Sequence, residues 1–286
     1  MRSSKTLKIQ YHSILFILLA LMISNANARP FVAVTVPAQA WLVKQIAGEE
    51  VELLTMVPSG HVPESAQPGP RKLSRYQQAD VHFTVGDPAF SFETRYISPY
   101  REKAEPGRWL SMFDIAGQIA PVHKLKGLDP HLWTSPRILL ASANALEQIL
   151  AELDPKHADL YRNNLFRLQE AISNLDRQLR VNVGRRSTDK LLVYHPAWGH
   201  FCQDYGLQQL AIEKEGKAPG AGSLSTLFTS LENDRINFII SSPGADRRIA
   251  AMIAEQFQMN LVMIDPMDTD WMRMMLEMNK ALEKND

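Results

Sequence analysis

The sequence predicts an α/β protein of two lobes, each a parallel sheet flanked by helices, which one long rigid helix bridges. Two observations predict this fold class. Short apolar segments alternate with amphipathic helical segments in both halves of the chain, which is the pattern of successive βα units. Between the halves, the chain runs from Pro155 to Val183 without a glycine or a further proline. The 286 residues suffice for two modest domains, each with its own core.

The first half contains three predicted strands and three predicted helices. The strands cover residues 31–37, 51–58 and 81–86, and the helices cover 39–47, 72–78 and 138–153. The third helix has a clear start, because Ser135 supplies an N-cap and Pro136 suits the first helical position. Residues 91–127 contain several prolines and receive no assignment.

The long helix is predicted to begin after a second capping pair, Asp154 and Pro155. Its apolar residues recur at three- and four-residue steps and form one stripe, which comprises Leu165, Leu168, Ile172, Leu175 and Leu179. A helix of this length spans roughly 40 Å, which suits a spine between two lobes. A coiled-coil dimer is the alternative, but the stripe is short for it.

The second half repeats the βα pattern more regularly. Predicted strands at 191–194, 209–213, 236–241 and 261–265 alternate with predicted helices at 197–205, 224–233, 246–256 and 269–283. The sequence therefore divides into a signal peptide at 1–28, an N-terminal lobe at 29–153, a linking helix at 154–184 and a C-terminal lobe at 185–286.

The N-terminus predicts export. Arg2, Lys5 and Lys8 precede the apolar segment 14–23, which is too short to span a bilayer, and Ala-Asn-Ala at 26–28 is a cleavage site. Cleavage gives a start at Arg29, and no cysteine nearby indicates a lipid anchor. We therefore expect a protein free in the periplasm; an uncleaved membrane anchor is the alternative.

Charge and cysteine content exclude several classes of protein. Removal of 1–28 leaves 28 basic and 31 acidic residues, so no basic surface favours nucleic acid. The single cysteine, Cys202, cannot form an intramolecular disulfide, and its apolar-aromatic neighbours predict a buried structural thiol. A cysteine-rich zinc site and thiol-redox chemistry are thereby excluded.

Four potential metal ligands, Glu64, His131, His195 and Asp265, occur about 65 residues apart. The last two end short buried-strand patterns, and a proline follows each of them. Since ligands bind at the carboxyl ends of parallel strands, two imidazoles and two carboxylates at such positions can enclose a divalent cation. His131 lies in a tight turn, Asp-Pro-His-Leu-Trp at 129–133, which leads into a capped helix.

The other histidines are assigned to no site. His12 lies in the signal peptide, and His123 in a polar loop. His157 is expected in the exposed first turn of the long helix. His82 and His200 are expected inside a strand and inside a helix.

Three motifs together resemble a known family: Asp-Pro-His-x-Trp at 129–133, His-Pro-Ala-Trp-Gly at 195–199 and Ile-Asp-Pro at 264–266. The chain is similar over its mature length to the metal-binding receptors of bacterial zinc- and manganese-type ABC importers. The resemblance implies a monomeric capture protein with one cation in the cleft between its lobes, and an ABC permease of the inner membrane as partner.

The chain departs from that family at the first ligand. Family members usually carry a histidine there, and counting back from Leu73 through the prolines puts Glu64 in its place, with His61 as the alternative three residues earlier. Carboxylates suit manganese, whereas zinc outcompetes manganese at most mixed sites. We therefore expect zinc as the transported ion, with manganese next.

Other functional classes remain as alternatives. A secreted metal-dependent hydrolase needs an open metal position and a base such as Glu213 or Glu215, but no His-Glu-x-x-His or Gly-x-Ser-x-Gly motif occurs. A receptor for a small organic solute needs stacking aromatics, and Trp133 and Trp198 are near the candidate ligands. A surface adhesin lacks an anchor. We expect a binding protein and not an enzyme.

Overall fold

The computed structural model describes residues 29–101, 108–119, 129–213, 219–232 and 234–284. The predicted signal peptide at 1–28, His123 and Glu215 lie outside these residues. Among the helices of the described ranges, none is both long enough and apolar enough to cross a bilayer.

The first half is built on one parallel sheet of order β2-β1-β3-β4. Its elements are β1 (Phe31–Val34), α1 (Pro37–Ala47), β2 (Glu52–Thr55), α2 (Pro70–Tyr76), β3 (Val81–Thr84), α3 (Ser91–Tyr96), α4 (Ser98–Arg101), β4 (Arg108–Ser111) and α5 (Met112–Ile119). The last four elements occupy the segment without a sequence assignment. Each is at most eight residues long, too short to show a clear hydrophobic period.

The middle of the chain forms a helical layer. A 3₁₀ turn (Leu132–Thr134) leads into α6 (Pro136–Leu153), and a second 3₁₀ turn (Pro155–His157) leads into α7 (Ala158–Arg185). Ser135 caps α6 as expected, because its Oγ accepts a hydrogen bond from Ile138 N at 3.0 Å. The helix α7 has 28 residues and continues through Gly184.

Asp154 is the N-cap residue of the second 3₁₀ turn rather than of α7, and its side chain makes no capping hydrogen bond. The Asp154 carboxylate accepts hydrogen bonds from the His157 ring at 2.6 Å and from the Tyr161 hydroxyl at 2.8 Å. The expected solvent exposure of His157 is wrong, since the ring is half-buried and its second nitrogen lies 3.5 Å from Glu50. Both differences arise because the chain makes a 3₁₀ turn before α7 starts.

The second half repeats the first topology. Its parallel sheet has the order β6-β5-β7-β8. The elements are β5 (Lys190–Val193), α8 (Gly199–Tyr205), β6 (Gln208–Ala211), α9 (Ala221–Glu232), β7 (Phe238–Ser241), α10 (Arg247–Gln256), β8 (Asn260–Met263) and α11 (Trp271–Lys284). Every predicted strand is present; β5, β6 and β8 end one or two residues earlier than expected, whereas β7 ends at Ser241 as predicted.

A hydrophobic core runs through both halves. The apolar stripe of α7 is buried against α1, α6 and α11, so it is covered within the chain and is not free for a coiled coil. Trp271 of α11 lies 5.4 Å from Trp41 of α1, measured between ring centroids. The Trp271 indole also donates a hydrogen bond to the carbonyl of Trp133 at 2.7 Å. The last helix therefore completes the core of the first half.

Candidate functional site

Two of the predicted ligands lie just beyond the carboxyl ends of strands in the second sheet. His195 comes two residues after β5 and Asp265 two residues after β8, and a proline follows each. In the strand order, the connections from β5 and β7 leave towards opposite sides of the sheet. The carboxyl ends of β5 and β7 thus form a topological switch point, where open α/β sheets bind ligands.

A cavity of about 720 Å³ opens at this point and is lined by both halves of the chain. Glu64, His131, His195 and Asp265 all line it, as does the alternative ligand His61. The segment that carries His61 and Glu64 lies between β2 and α2, and both side chains are exposed. The Ser59 hydroxyl of this segment donates to the carbonyl of Met267 across the cavity rim at 3.5 Å.

The two histidines are in ring contact. Their ring centroids lie 5.1 Å apart, with the rings nearly perpendicular at 85°. A carboxylate faces Nδ1 of each ring: Asp129 Oδ1 lies 3.1 Å from His131, and Glu213 Oε2 lies 3.3 Å from His195. Because Nδ1 is occupied on both rings, Nε2 of each is left for a ligand.

The electrostatics keep His195 in the form that binds metal. Burial lowers the pKa of His195, the neighbouring His131 lowers it further, and the charges of Glu213 and Glu64 oppose these effects. A lowered pKa keeps the imidazole neutral near pH 7, and neutral imidazole is the metal-binding form. Burial raises the pKa of Asp265, although the backbone N–H of Met267 donates to its Oδ1 at 2.9 Å.

The structure brings the predicted ligands to one cavity without joining them all. His131 and His195 are in ring contact, whereas Glu64, Asp265 and His61 lie on the surrounding walls. Across the described ranges, no three His, Cys, Asp or Glu side chains converge closely enough to hold a metal ion.

Three polar residues around the histidine pair are absent from the sequence-based ligand set. Asp129 and Glu213 face the histidine rings, and His200 Nε2 lies 2.7 Å from the carbonyl oxygen of Asp129. The sequence could have indicated the contact between Asp129 and His131, because an aspartate side chain often accepts a hydrogen bond from the backbone N–H two residues later. Glu213 was named from the sequence only as a possible hydrolase base, because its approach to His195 depends on β6 lying beside β5.

The remaining expectations concern residues outside the cavity lining. His82 is buried on β3, where its ring stacks on Trp109 at 4.3 Å. Cys202 is a buried thiol, as expected. Trp133 and Trp198 are buried in the core, and the Trp133 indole donates to the carbonyl of Pro266 at 2.7 Å. Neither indole is an exposed stacking surface for an organic solute.

The chain matches the family described as zinc-uptake complex component A, periplasmic, over residues 32–285. It belongs to that family. The high-affinity zinc uptake system protein ZnuA of Bacillus subtilis (strain 168) is 22% identical over 233 residues, covering 74% of this chain and 70% of the relative. The manganese ABC transporter substrate-binding lipoprotein PsaA of Streptococcus pneumoniae is 24% identical over 221 residues, covering 72% and 70%.

The solved structures agree with this family assignment. A crystal structure of a zinc-bound deletion mutant of ZnuA superposes with a TM-score of 0.75 at 26% identity, covering 91% of this chain and 98% of that chain. The predicted resemblance and the two-lobe α/β fold are thereby confirmed. The predicted functional class is confirmed as well: the family consists of solute-binding proteins of metal ABC transporters, which work with a membrane permease.

Proposed function

We propose that this chain captures one divalent cation in the cavity between its halves and delivers it to an ABC permease of the inner membrane. The observation that carries the proposal is that all four ligands predicted from the sequence line one cavity, with the two histidines already in contact. Glu64, His131, His195 and Asp265 are the proposed ligands, with His61 as the alternative to Glu64.

The donor set favours zinc, with manganese next. Two imidazole nitrogens and two carboxylate oxygens can form the tetrahedral shell that zinc prefers, at about 2.0 to 2.2 Å from the ion. In this proposal Glu64 and Asp265 move towards the histidine pair when the cation arrives. Most such donor sets bind zinc more tightly than manganese. Manganese remains the second candidate because the similar proteins include one named for zinc and one named for manganese.

The same proposal covers location and partners. We propose that the chain is exported through the signal peptide at 1–28 to the periplasm and acts there as a monomer, without nucleic acid. Its division into 29–153, 154–184 and 185–286 stays a prediction. Catalysis is disfavoured because Glu213, the suggested base of a hydrolase, faces Nδ1 of His195 and is engaged in orienting that ring.

The test is a competition titration with zinc and with manganese. The chain from Arg29 onward is stripped with chelator and titrated against a chromophoric competitor, alongside Glu64→Ala, His61→Ala and Asp265→Ala. We expect saturable one-to-one zinc binding that Glu64→Ala and Asp265→Ala each weaken by orders of magnitude. His157→Ala is the matched control, because this histidine lies outside the cavity lining and should leave affinity unchanged.

Four outcomes would change the proposal. Loss of binding in His61→Ala alone would move the first ligand to His61. Tighter manganese than zinc binding at equal ionic strength would change the cargo. Absence of saturable binding for both metals would overturn the function. Hydrolysis of ester or peptide substrates by the zinc-loaded protein would restore the enzyme reading.

A further inference from the structure

Asp129 contacts the segments of both histidines at once. Its Oδ1 accepts from the backbone N–H of His131 at 2.9 Å and faces the Nδ1 of that residue at 3.1 Å. Its Oδ2 accepts from the backbone N–H of Gly199 at 2.7 Å. Its carbonyl oxygen lies 2.7 Å from Nε2 of His200. One residue of the first half therefore holds the start of α8 in the second.

The start of α8 is also the continuation of the His195 turn. The backbone N–H of Ala197 donates to the carbonyl of His195 at 2.8 Å, and Gly199 follows two residues later. A movement of Gly199 relative to Asp129 would therefore also displace the turn that carries His195. By bonding to both segments, Asp129 can fix the position of His131 relative to His195.

The environment of Asp129 suits a hydrogen-bond acceptor rather than a metal ligand. Its side chain is only 8% exposed, and both oxygens are engaged. A buried carboxylate with fixed donors is a rigid reference point for a ring.

Gly199 is part of the same arrangement. A methyl group added to Gly199 would lie 2.5 Å from Oδ2 of Asp129, inside van der Waals contact. Only glycine allows the backbone N–H at this position to approach the carboxylate so closely. The close approach therefore needs both residues.

We propose that Asp129 is a positioning residue that turns Nε2 of His131 into the cavity and locks the two histidine segments into one prealigned pair. This inference rests on the proposed function, since it concerns how the cation site is prepared. The histidine pair exists before the cation arrives, and the carboxylates on the cavity walls complete the shell. Groups held in place before binding lose less freedom on binding, which raises affinity.

The experiment uses Asp129→Asn and Gly199→Ala in the chelator-stripped protein, with zinc as the only added metal. Asparagine must present an amide N–H to Gly199 or to His131, and alanine pushes the carboxylate away without altering any ligand. We expect zinc affinity to fall about 10- to 100-fold in each, the usual loss for an orienting partner. Gly184→Ala is the matched control, because a methyl group there meets no atom within 4 Å.

A second readout separates positioning from general stability. Nitrogen-15 shifts of the His131 ring report its tautomer in the metal-free protein. We expect the Nδ1–H form in the unaltered chain and a mixture of both tautomers in Asp129→Asn. Unchanged zinc affinity and an unchanged tautomer in both variants would overturn the inference. Failure of the unaltered chain to bind zinc or manganese would instead overturn the proposed function.

Discussion

The two sheets share one strand order but differ at their switch points. In the first half, the ends of β1 and β3 converge on Glu93, a buried carboxylate that accepts hydrogen bonds from the Thr35 hydroxyl and from the backbone N–H groups of Val85 and Gly86, the latter two at 2.7 Å. In the second half, the corresponding ends of β5 and β7 open into the cavity.

The comparison shows that the strand order creates a switch point in each sheet, and that the side chains there decide whether it binds a ligand. Both switch points present backbone groups that need partners. The first half satisfies them internally with the carboxylate of Glu93, so that end of the sheet is structural. The second half places His195 there and leaves space beside it. The same fold thus makes one closed end and one binding end.

Removal of the closing carboxylate should give the largest effect. Glu93→Ala leaves one hydroxyl and two backbone N–H groups buried without their acceptor, so the free energy of unfolding should fall by about 5 kcal/mol. Glu93→Gln keeps the shape and one acceptor oxygen and should lose about half as much. Urea denaturation of the metal-free variants measures both values. If Glu93→Ala unfolded as easily as Glu93→Gln, the closed end would owe little to the carboxylate.

Removal of a proposed ligand should give the opposite result. His195→Ala should weaken zinc binding about a thousandfold, equivalent to about 4 kcal/mol, because one of the two imidazole ligands is lost. Its metal-free stability should stay within about 1 kcal/mol of the unaltered chain, since the ring is partly exposed and borders a cavity. Titration and urea denaturation on the same samples test this. A large stability loss without an affinity loss would reverse the roles assigned to the two switch points.

Acid should act on the closed half through His82. Burial lowers the pKa of His82 to about 4 from an ordinary value of 6.5. Because the unfolded chain takes up the proton first, stability is lost as pH falls from 6.5 to 4, by about 3 kcal/mol. His82→Phe keeps the stack on Trp109 and removes the titration. Its unfolding free energy should therefore depend less on pH in this window; equal slopes would contradict the assignment.

Cys202 should give the smallest effect. The thiol is buried in α8 outside the cavity lining, and burial raises its pKa. Cys202→Ser should leave zinc affinity within about twofold while costing about 1 kcal/mol of stability for a poorly satisfied hydroxyl. The zinc titration decides, and a large loss of affinity would show that the thiol acts on the site.

Much of the fold could be predicted because long periodic segments specify their own structure. The stripe from Leu165 to Leu179 identified α7, and Ser135 with Pro136 identified the start of α6. The elements between Ser91 and Ile119 were missed because they are short. The side-chain role of Asp154 was misassigned because one of its partners, Tyr161, reaches the carboxylate only once α7 has formed.

The sequence predicted those site residues that directly follow a recognisable strand. The prolines after His195 and Asp265 mark where each strand stops, and both residues line the cavity. The roles of Asp129 and Glu213 as partners of the histidine rings were not found, because they depend on contacts between distant segments. Asp129 meets Gly199 across 70 residues of sequence. No local pattern encodes such a contact.

The pairing of the last helix with the first also bears on synthesis. Trp271 packs on Trp41, so the core of the first half lacks one wall until the final residues have been made. Translation at about 5 to 20 residues per second needs roughly 15 to 60 s for this chain. Most domains start to fold from the N-terminus while the ribosome is still working. In this chain the core of the first half cannot close until the last helix has been synthesised. A chain truncated before Trp271 would keep an open core.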